Sequence, residues 1–173
     1  MPRYVAFLRG VSPMNARMSE LNRCFERAGF ADVKSVLSSG NIAFSARAAA
    51  EAALERKAER AMARHLRSKR AFYTIVRASS TLRALLEEDP YAKFALPANA
   101  KRIVTFLREP SGRKIALPIE ADGVRILAAR DREILTAYTP SARGAVFMVL
   151  IERTFGKNVT TRTWDTVRKC ASA

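Results

Sequence analysis

The stretch that decides the fold runs Val33-Lys-Ser-Val-Leu-Ser-Ser-Gly-Asn-Ile-Ala-Phe44. Two short runs rich in apolar and β-branched residues, Val33–Leu37 and Ile42–Phe44, flank the polar segment Ser38–Asn41. A Gly-Asn pair between two such runs is typical of a β-hairpin, because both residues adopt positive φ at low cost. The sequence therefore predicts a hairpin with its turn at Ser38–Asn41, around which the first half of the chain folds.

Residues 1–78 predict a domain with the element order β-α-β-β-α-β. The predicted elements are strand Tyr4–Leu8, a helix capped by Ser19 and ended by Gly29, the hairpin, helix Ala48–Leu66 and strand Phe72–Val76. This order is that of a ferredoxin-like domain, in which the first and third strands are central and antiparallel. The start of the loop after the first strand, the hairpin turn and the start of the fourth strand should then share one edge.

Residues 79–173 predict a connector helix and a second α+β half. The predicted elements are helix Ser79–Glu87, strand Arg102–Leu107, hairpin strands Val124–Ala128 and Ile134–Tyr138, a helix from Ser141 or Gly144 to Phe155, and a final helix Thr163–Ala171. Their order resembles that of the first half, although no residue-level repeat is visible. The fold class is therefore α+β, a ferredoxin-like first half joined to a related second half.

The formal net charge is +15, from 31 basic and 16 acidic residues. A phosphate-bearing partner would explain this excess, because arginine binds phosphate in a bidentate manner and neutralised phosphates release counterions. An arginine-rich genome is the alternative explanation for 23 Arg against 8 Lys, but it does not explain the excess of base over acid. The longest apolar run, Ala145–Ile151, is too short to span a bilayer. We expect a cytoplasmic protein with reduced cysteines and no membrane partner.

The sequence contains no recognisable catalytic or cofactor-binding motif. The single histidine, His65, lacks a second ligand at metal-binding spacing, so we expect no metal site and no cofactor. The RNA-recognition module shares the predicted strand order, but its paired stacking aromatics are missing here. Whether the protein is an enzyme stays open at this point.

Two polar groups are candidates for ligand or anion binding. The first lies on the predicted shared edge and comprises Arg9, Ser38, Ser39, Gly40 and Asn41. The second comprises Arg162, just before the final helix, and Trp164 in its first turn, where Thr161 or Thr163 would cap the helix and create an anion site. Trp164 has an alternative interpretation, as an aromatic anchor that packs the chain terminus onto the core.

A row of arginines on the long helix is the candidate nucleic-acid surface. Arg56, Arg60 and Arg64 recur at every fourth residue and therefore lie on one helix face. The row continues through Arg67, Lys69 and Arg70. The alternative is a solvated helix face, partly balanced by Glu59.

Four motifs resemble the bacterial domain-of-unknown-function family 1697. They are Tyr4-Val-Ala-Phe-Leu-Arg-Gly10, Met18-Ser-Glu-Leu21, Leu37-Ser-Ser-Gly-Asn41 and Phe155-Gly-Lys-Asn-Val-Thr-Thr-Arg-Thr-Trp-Asp-Thr-Val167. The resemblance implies an α+β protein with two similar halves and no established activity. The loop at residues 11–17 and residues 142–144 depart from the family, because many members carry lysines there.

We expect the chain to be a non-enzymatic basic domain that binds a phosphate-bearing ligand or nucleic acid. One alternative is a small-molecule enzyme with a site between the two halves that uses Arg9, Ser39, Asn41, Arg162 and Trp164. The other is an assembly module that uses an uncovered sheet face. Salt dependence separates the first hypothesis from the second, because binding to a polyanion weakens steeply as salt rises.

Overall fold

A computed structural model describes residues 1–141 and 146–173. The chain groups into two units, residues 1–87 with 168–173 and residues 88–167. Each unit has one antiparallel sheet, with four strands in the first and five in the second. The α+β fold class is therefore confirmed.

The first unit follows the predicted element order. Its elements are β1 (Arg3–Leu8), α1 (Met18–Arg27), β2 (Ala31–Ser35), β3 (Asn41–Ser45), α2 (Glu51–His65), β4 (Thr74–Ala78) and α3 (Ser79–Glu88). The predicted Ser19 cap is wrong. The helix begins one residue before Ser19, and the residue in the cap position is Arg17, whose side chain makes no capping hydrogen bond.

The first sheet has the strand order β2-β3-β1-β4, so β1 and β3 are central and antiparallel as expected. One face carries an aromatic cluster under α1 and α2, in which the Phe30 and Phe44 ring centroids lie 4.4 Å apart and Phe25 lies 5.5 Å from Phe44. The other face of the central strands is buried as well, since Val5 and Phe7 are inaccessible to solvent.

The β2–β3 hairpin is confirmed, but its turn differs from the expected one. Positive φ occurs at Leu37 and Gly40, whereas Asn41 is already the first residue of β3. The Asn41 side chain closes the turn instead, because its Nδ2 donates to the Val36 carbonyl at 3.0 Å and to Ser39 Oγ at 3.3 Å. Asn41 therefore serves the turn through its amide rather than through its backbone conformation.

Gly40 combines a positive φ with close packing. Its φ is +81°, and its carbonyl accepts a hydrogen bond from the Leu8 backbone N–H at 2.8 Å. A Cβ atom at this position would lie 2.9 Å from Val11 Cβ and 3.1 Å from the Leu8 carbonyl oxygen. Glycine is thus required both by backbone conformation and by the space available.

Gly40→Val should lower the free energy of unfolding by about 1–3 kcal/mol, because it adds backbone strain and a contact with Val11. Chemical denaturation would measure the loss. Gly112→Val is the matched control, since a Cβ at Gly112 meets no atom within 4 Å. Equal stability of the two variants would contradict the proposed role of Gly40.

A ladder of three glutamates joins α2 to the outer edge of β4. Glu59 Oε1 accepts from the Thr74 backbone N–H at 2.9 Å, Glu55 Oε1 from Val76 at 2.9 Å, and Glu51 Oε1 from Ala78 at 2.8 Å. The spacing fits because four helix residues advance about 6.0 Å and two strand residues about 6.6 Å. The edge N–H groups of β4 are therefore satisfied by side chains rather than by another strand.

Glu55→Ala should lower the free energy of unfolding by about 1–3 kcal/mol, because it leaves the buried Val76 N–H without its acceptor. Glu55→Gln keeps an acceptor oxygen and should lose less. Glu26→Ala, at an exposed position of α1, is the control and should change stability by at most about 0.5 kcal/mol. If Glu55→Ala and Glu26→Ala unfold at the same denaturant concentration, the ladder contributes nothing to stability.

The second unit contains two strands that the sequence did not predict. Its elements are β5 (Lys101–Leu107), β6 (Ile119–Ala121), β7 (Val124–Arg130), β8 (Glu133–Tyr138), α4 (Phe147–Phe155), β9 (Val159–Thr163) and α5 (Trp164–Ala171), of which α5 continues into the first unit. The segment expected to precede a capped helix is the strand β9, and Thr163 Oγ1 accepts from the Thr166 N–H at 3.2 Å at the start of α5. The predicted helix start at Gly144 and the family departure at residues 142–144 lie outside the described residues.

One hydrophobic cluster of the second unit lies between α4 and one face of its sheet. Ile151 of α4 is buried with Ile126 and Ile134 of the hairpin β7–β8. Gly156 ends α4 with a φ of +88°, which agrees with the predicted helix end at Phe155.

The two sheets share one topology. The second sheet has the order β6-β7-β8-β5-β9, and without β6 its order matches β2-β3-β1-β4 strand for strand. The Leu107 N–H donates to the Arg132 carbonyl at 2.9 Å, which repeats the bond from Leu8 to Gly40. In both halves the last strand leads directly into a helix, and β9, which the sequence did not predict, is the counterpart of β4.

Candidate functional site

Three segments of the first unit meet at one edge of its sheet, as the element order predicted. The Leu8 N–H donates to the Gly40 carbonyl and the Arg9 N–H to the Tyr73 carbonyl, each at 2.8 Å. A Cβ atom built on Gly10 would lie 3.8 Å from Arg70 Nη2. The end of β1, the hairpin turn and the start of β4 therefore form one basic edge.

The candidate residues on this edge differ in their access to solvent. Ser38 and Ser39 are exposed and Arg9 is half-buried, whereas Gly40 and Asn41 are buried. Arg70 packs its guanidinium over the Phe72 ring at 4.6 Å from the centroid. Gly40 and Asn41 thus shape the turn, and the side chains that a ligand could reach here are Arg9, Ser38 and Ser39.

Arg162 and Trp164 lie in the second unit. Arg162 Nη1 donates to Thr160 Oγ1 at 2.6 Å and to the Thr161 carbonyl at 2.8 Å, so it braces its own strand. Trp164 is only 5% exposed. These contacts favour the interpretation of Trp164 as an anchor, and a ligand site that it shares with Arg162 stays a prediction.

Trp164 packs in an edge-to-face contact against Tyr91, with ring centroids 5.0 Å apart. The guanidinium of Arg102 lies 5.7 Å from the Trp164 ring centroid and 5.8 Å from that of Tyr91. Burial raises the pKa of the Tyr91 hydroxyl, which donates a hydrogen bond to the Ile103 carbonyl. These packing and hydrogen-bond contacts therefore hold the start of α5 against Tyr91 and β5 within the second unit.

All six residues of the arginine row are exposed: Arg56, Arg60, Arg64, Arg67, Lys69 and Arg70. Successive residues on a helix are separated by about 100°, which divides the surface of α2 into stripes. Leu54, Ala58 and Met62 form the buried apolar stripe, and the next stripe is the glutamate ladder. The arginine row follows on the far side of that ladder.

The glutamates of α2 are turned toward β4 and do not lie on the exposed helix face that carries the arginine row. All three acidic residues of this helix, Glu51, Glu55 and Glu59, accept hydrogen bonds from β4. The expectation that Glu59 balances the row is therefore weakened, since its carboxylate is turned to the Thr74 N–H. Acid and base on this helix are separated onto different faces.

A cleft of about 250 Å³ lies where α1 meets the end of α2. It is lined by Glu20, Arg23, Cys24, Arg27, His65 and Arg67. Arg23 and Arg27 were not among the predicted site residues. Their spacing of four residues was the available signal, because it places both on one face of α1 beside the apolar stripe.

His65 faces cations from both sides of this cleft. Arg27 Nη1 lies 3.4 Å from His65 Nδ1, and a guanidinium can only donate, so Nδ1 accepts and Nε2 carries the proton. Partial desolvation lowers the pKa of His65, and the charges of Arg27, Arg64 and Lys69 lower it further. The imidazole is therefore neutral at pH 7.

His65 should titrate below its ordinary pKa of about 6.5. Because it is the only histidine, its ring signals in proton NMR report the midpoint directly. Arg27→Gln and added salt should each raise the pKa, since both weaken the repulsion of the imidazolium. Since the folded pKa is the lower one, protonation favours the unfolded chain, and this loss of stability develops as pH falls from about 6.5 to the folded pKa. A midpoint at or above the ordinary value would contradict this electrostatic picture.

The described residues give no sign of a metal site or a membrane span. Residues 1–141 and 146–173 contain no cluster of three or more His, Cys, Asp or Glu side chains that could hold a metal ion. Within the same ranges, none of the helices has the length and apolar character needed to cross a bilayer.

The protein is thus of the α+β class. It has two units of common strand order, and the first unit carries a basic helical face. The chain belongs to the family described as "Protein of unknown function (DUF1697)", which matches residues 1–134. It is also similar in fold to the conserved bacterial protein SP0830 from Streptococcus pneumoniae. That structure is 20% identical with a TM-score of 0.69, and the alignment covers 99% of this chain and 97% of the other. No curated protein matches the chain.

Proposed function

We propose that this protein binds nucleic acid through the exposed basic face of its first unit and does not itself catalyse a reaction. The face comprises Arg56, Arg60, Arg64, Arg67, Lys69 and Arg70. One observation carries the proposal, namely the separation of charge on α2, where the glutamates bond to β4 and the arginines face solvent.

The separation of charge on α2 matters because a polyanion is attracted by the local electrostatic potential of a surface rather than by the net charge of the chain. Arg56, Arg60 and Arg64 stand about 6 Å apart along the helix axis, which presents a line of guanidinium groups over about 12 Å. Guanidinium groups bind phosphate oxygens in bidentate geometry without reading the bases. Binding is therefore expected to be strong at low salt and largely independent of sequence.

The arrangement lacks the features that would support base recognition on the first sheet. Tyr4 and Phe7 lie on opposite faces of β1 and are both buried, so neither offers a stacking surface to a base. The proposal is therefore limited to backbone contacts. The enzyme with a site between the halves and the assembly module stay predictions, and no described contact favours either.

The triple variant Arg56→Gln, Arg60→Gln and Arg64→Gln should bind duplex DNA more weakly, by a similar factor for different sequences. The slope of log affinity against log salt should shrink by about 2–3, because each lost phosphate contact removes about 0.9. Fluorescence anisotropy at several salt concentrations measures both quantities.

The matched control removes the same charge from exposed positions of the second unit, with Arg113→Gln, Lys114→Gln and Lys157→Gln. This control should keep the slope of the unmodified protein if the α2 face is the contact surface. Equal slopes for the two triple variants would assign the affinity to net charge alone. A protein whose affinity does not change with salt would refute the proposal.

A further inference from the structure

We propose that the cleft between α1 and α2 is a binding site for a phosphate monoester group. The cleft is lined by the basic residues Arg23, Arg27 and Arg67, by His65, and by Glu20 and Cys24. Binding at this cleft would be a function additional to the proposed one, because a free phosphate monoester could occupy the cleft even if no polymer binds the arginine row.

The charge inside the cleft matches a phosphate monoester. Three guanidinium groups and one carboxylate leave an excess of two positive charges while His65 is neutral. A phosphate monoester carries about −1.5 to −2 at pH 7, whereas a bridging diester carries only one negative charge. Cys24 does not alter this balance, because burial keeps its thiol protonated by raising its pKa.

The donors come from two elements and converge on a concave space. Arg23 and Arg27 lie on successive turns of α1, while His65 and Arg67 lie at the end of α2 and just beyond it. A guanidinium offers paired N–H donors to two phosphate oxygens. His65 adds an Nε2–H donor, since its Nδ1 accepts from Arg27.

The dimensions limit the ligand to a small group. A cleft of about 250 Å³ lies below the range of about 300–1,000 Å³ that is common for drug-sized ligands. It accommodates a phosphate group with the adjoining part of its ester. Glu20 also lines the cleft, and its carboxylate repels phosphate but can accept a hydrogen bond from a hydroxyl of that ester.

The unliganded cleft also gathers like charges. His65 is flanked by Arg27 from α1, by Arg64 on its own helix and by Lys69 from the following turn, and all three cations lower its pKa. Lys69 is held nearby, because its Nζ donates to the Arg64 carbonyl at 2.7 Å. A dianion among these groups would relieve their repulsion and raise the pKa of His65.

Titration of the full chain with adenosine 5′-monophosphate at pH 7.5, followed through the His65 ring signals, tests the site. The signals should shift with saturation, and the His65 pKa should rise in the saturated protein. Adenosine, which lacks the phosphate, should cause no shift. Inorganic phosphate should compete with the monophosphate for the same site.

Arg27→Gln and Arg67→Gln should each weaken binding about tenfold or more, the effect of losing a hydrogen bond to a charged group. Arg113→Gln, an exposed change in the second unit outside both proposed sites, is the control and should keep the affinity. Thermal unfolding confirms that each variant is folded. Absence of a His65 shift, or equal weakening by Arg27→Gln, Arg67→Gln and Arg113→Gln, would overturn the proposal.

Oligonucleotides with and without a 5′-phosphate separate two sources of the same group. Tighter binding of the 5′-phosphorylated strand would support the site and assign it to a strand end. Binding of the mononucleotide with no preference between the strands would support it and assign a free phosphate monoester. The affinity for 5′-hydroxyl duplex tests the arginine row separately, so the two proposals can fail independently.

Discussion

The hydrogen bonds between α2 and the outer edge of β4 fix the orientation of the long helix. An edge strand in the interior of a protein leaves backbone N–H groups that must find acceptors. Glu51, Glu55 and Glu59 supply them at intervals that agree with the rise of helix and strand. Once the glutamate stripe faces β4, rotation of α2 about its axis is no longer free. The apolar stripe through Leu54 and Met62 is then turned to the aromatic core, and the arginine stripe to solvent.

The same constraint gives the two halves different surfaces despite their common strand order. In the second unit α4 packs on its sheet through Ile151, and the side chain that meets β9 is Met148, which accepts from Thr161 Oγ1 at 3.1 Å. In the first unit the three glutamates of α2 accept from backbone N–H groups of β4, and the arginines of α2 lie on the exposed side. The charge of the whole chain would predict binding anywhere on its surface, whereas the helix stripes support the proposal that nucleic acid binds at one face of the first unit.

The sequence could predict those elements whose signal is local. The apolar runs of β1 and β5, the hairpin around Gly40 and the periodic face of α2 all lie where their residues indicate. Strand β9 was missed because Val159-Thr-Thr-Arg-Thr163 has one apolar residue, and its threonines also suit a helix cap. The Asn41 amide and the α1–α2 cleft depend on contacts between segments distant in sequence. Arg27 and His65 are 38 residues apart, and only the packing of the two helices reveals that they meet.

The glutamate ladder has a further consequence for association between chains. An edge strand with unsatisfied N–H groups is a template onto which a strand of another molecule can add. At β4 the outward-facing N–H groups already donate to the glutamate side chains of α2, the helix that covers this sheet. A second chain would have to displace three carboxylates before it could pair there, and the displaced charges would then oppose the approach of its backbone carbonyls. Growth of the first sheet by strand addition is thus blocked at this edge, which protects a highly charged protein from ordered aggregation there.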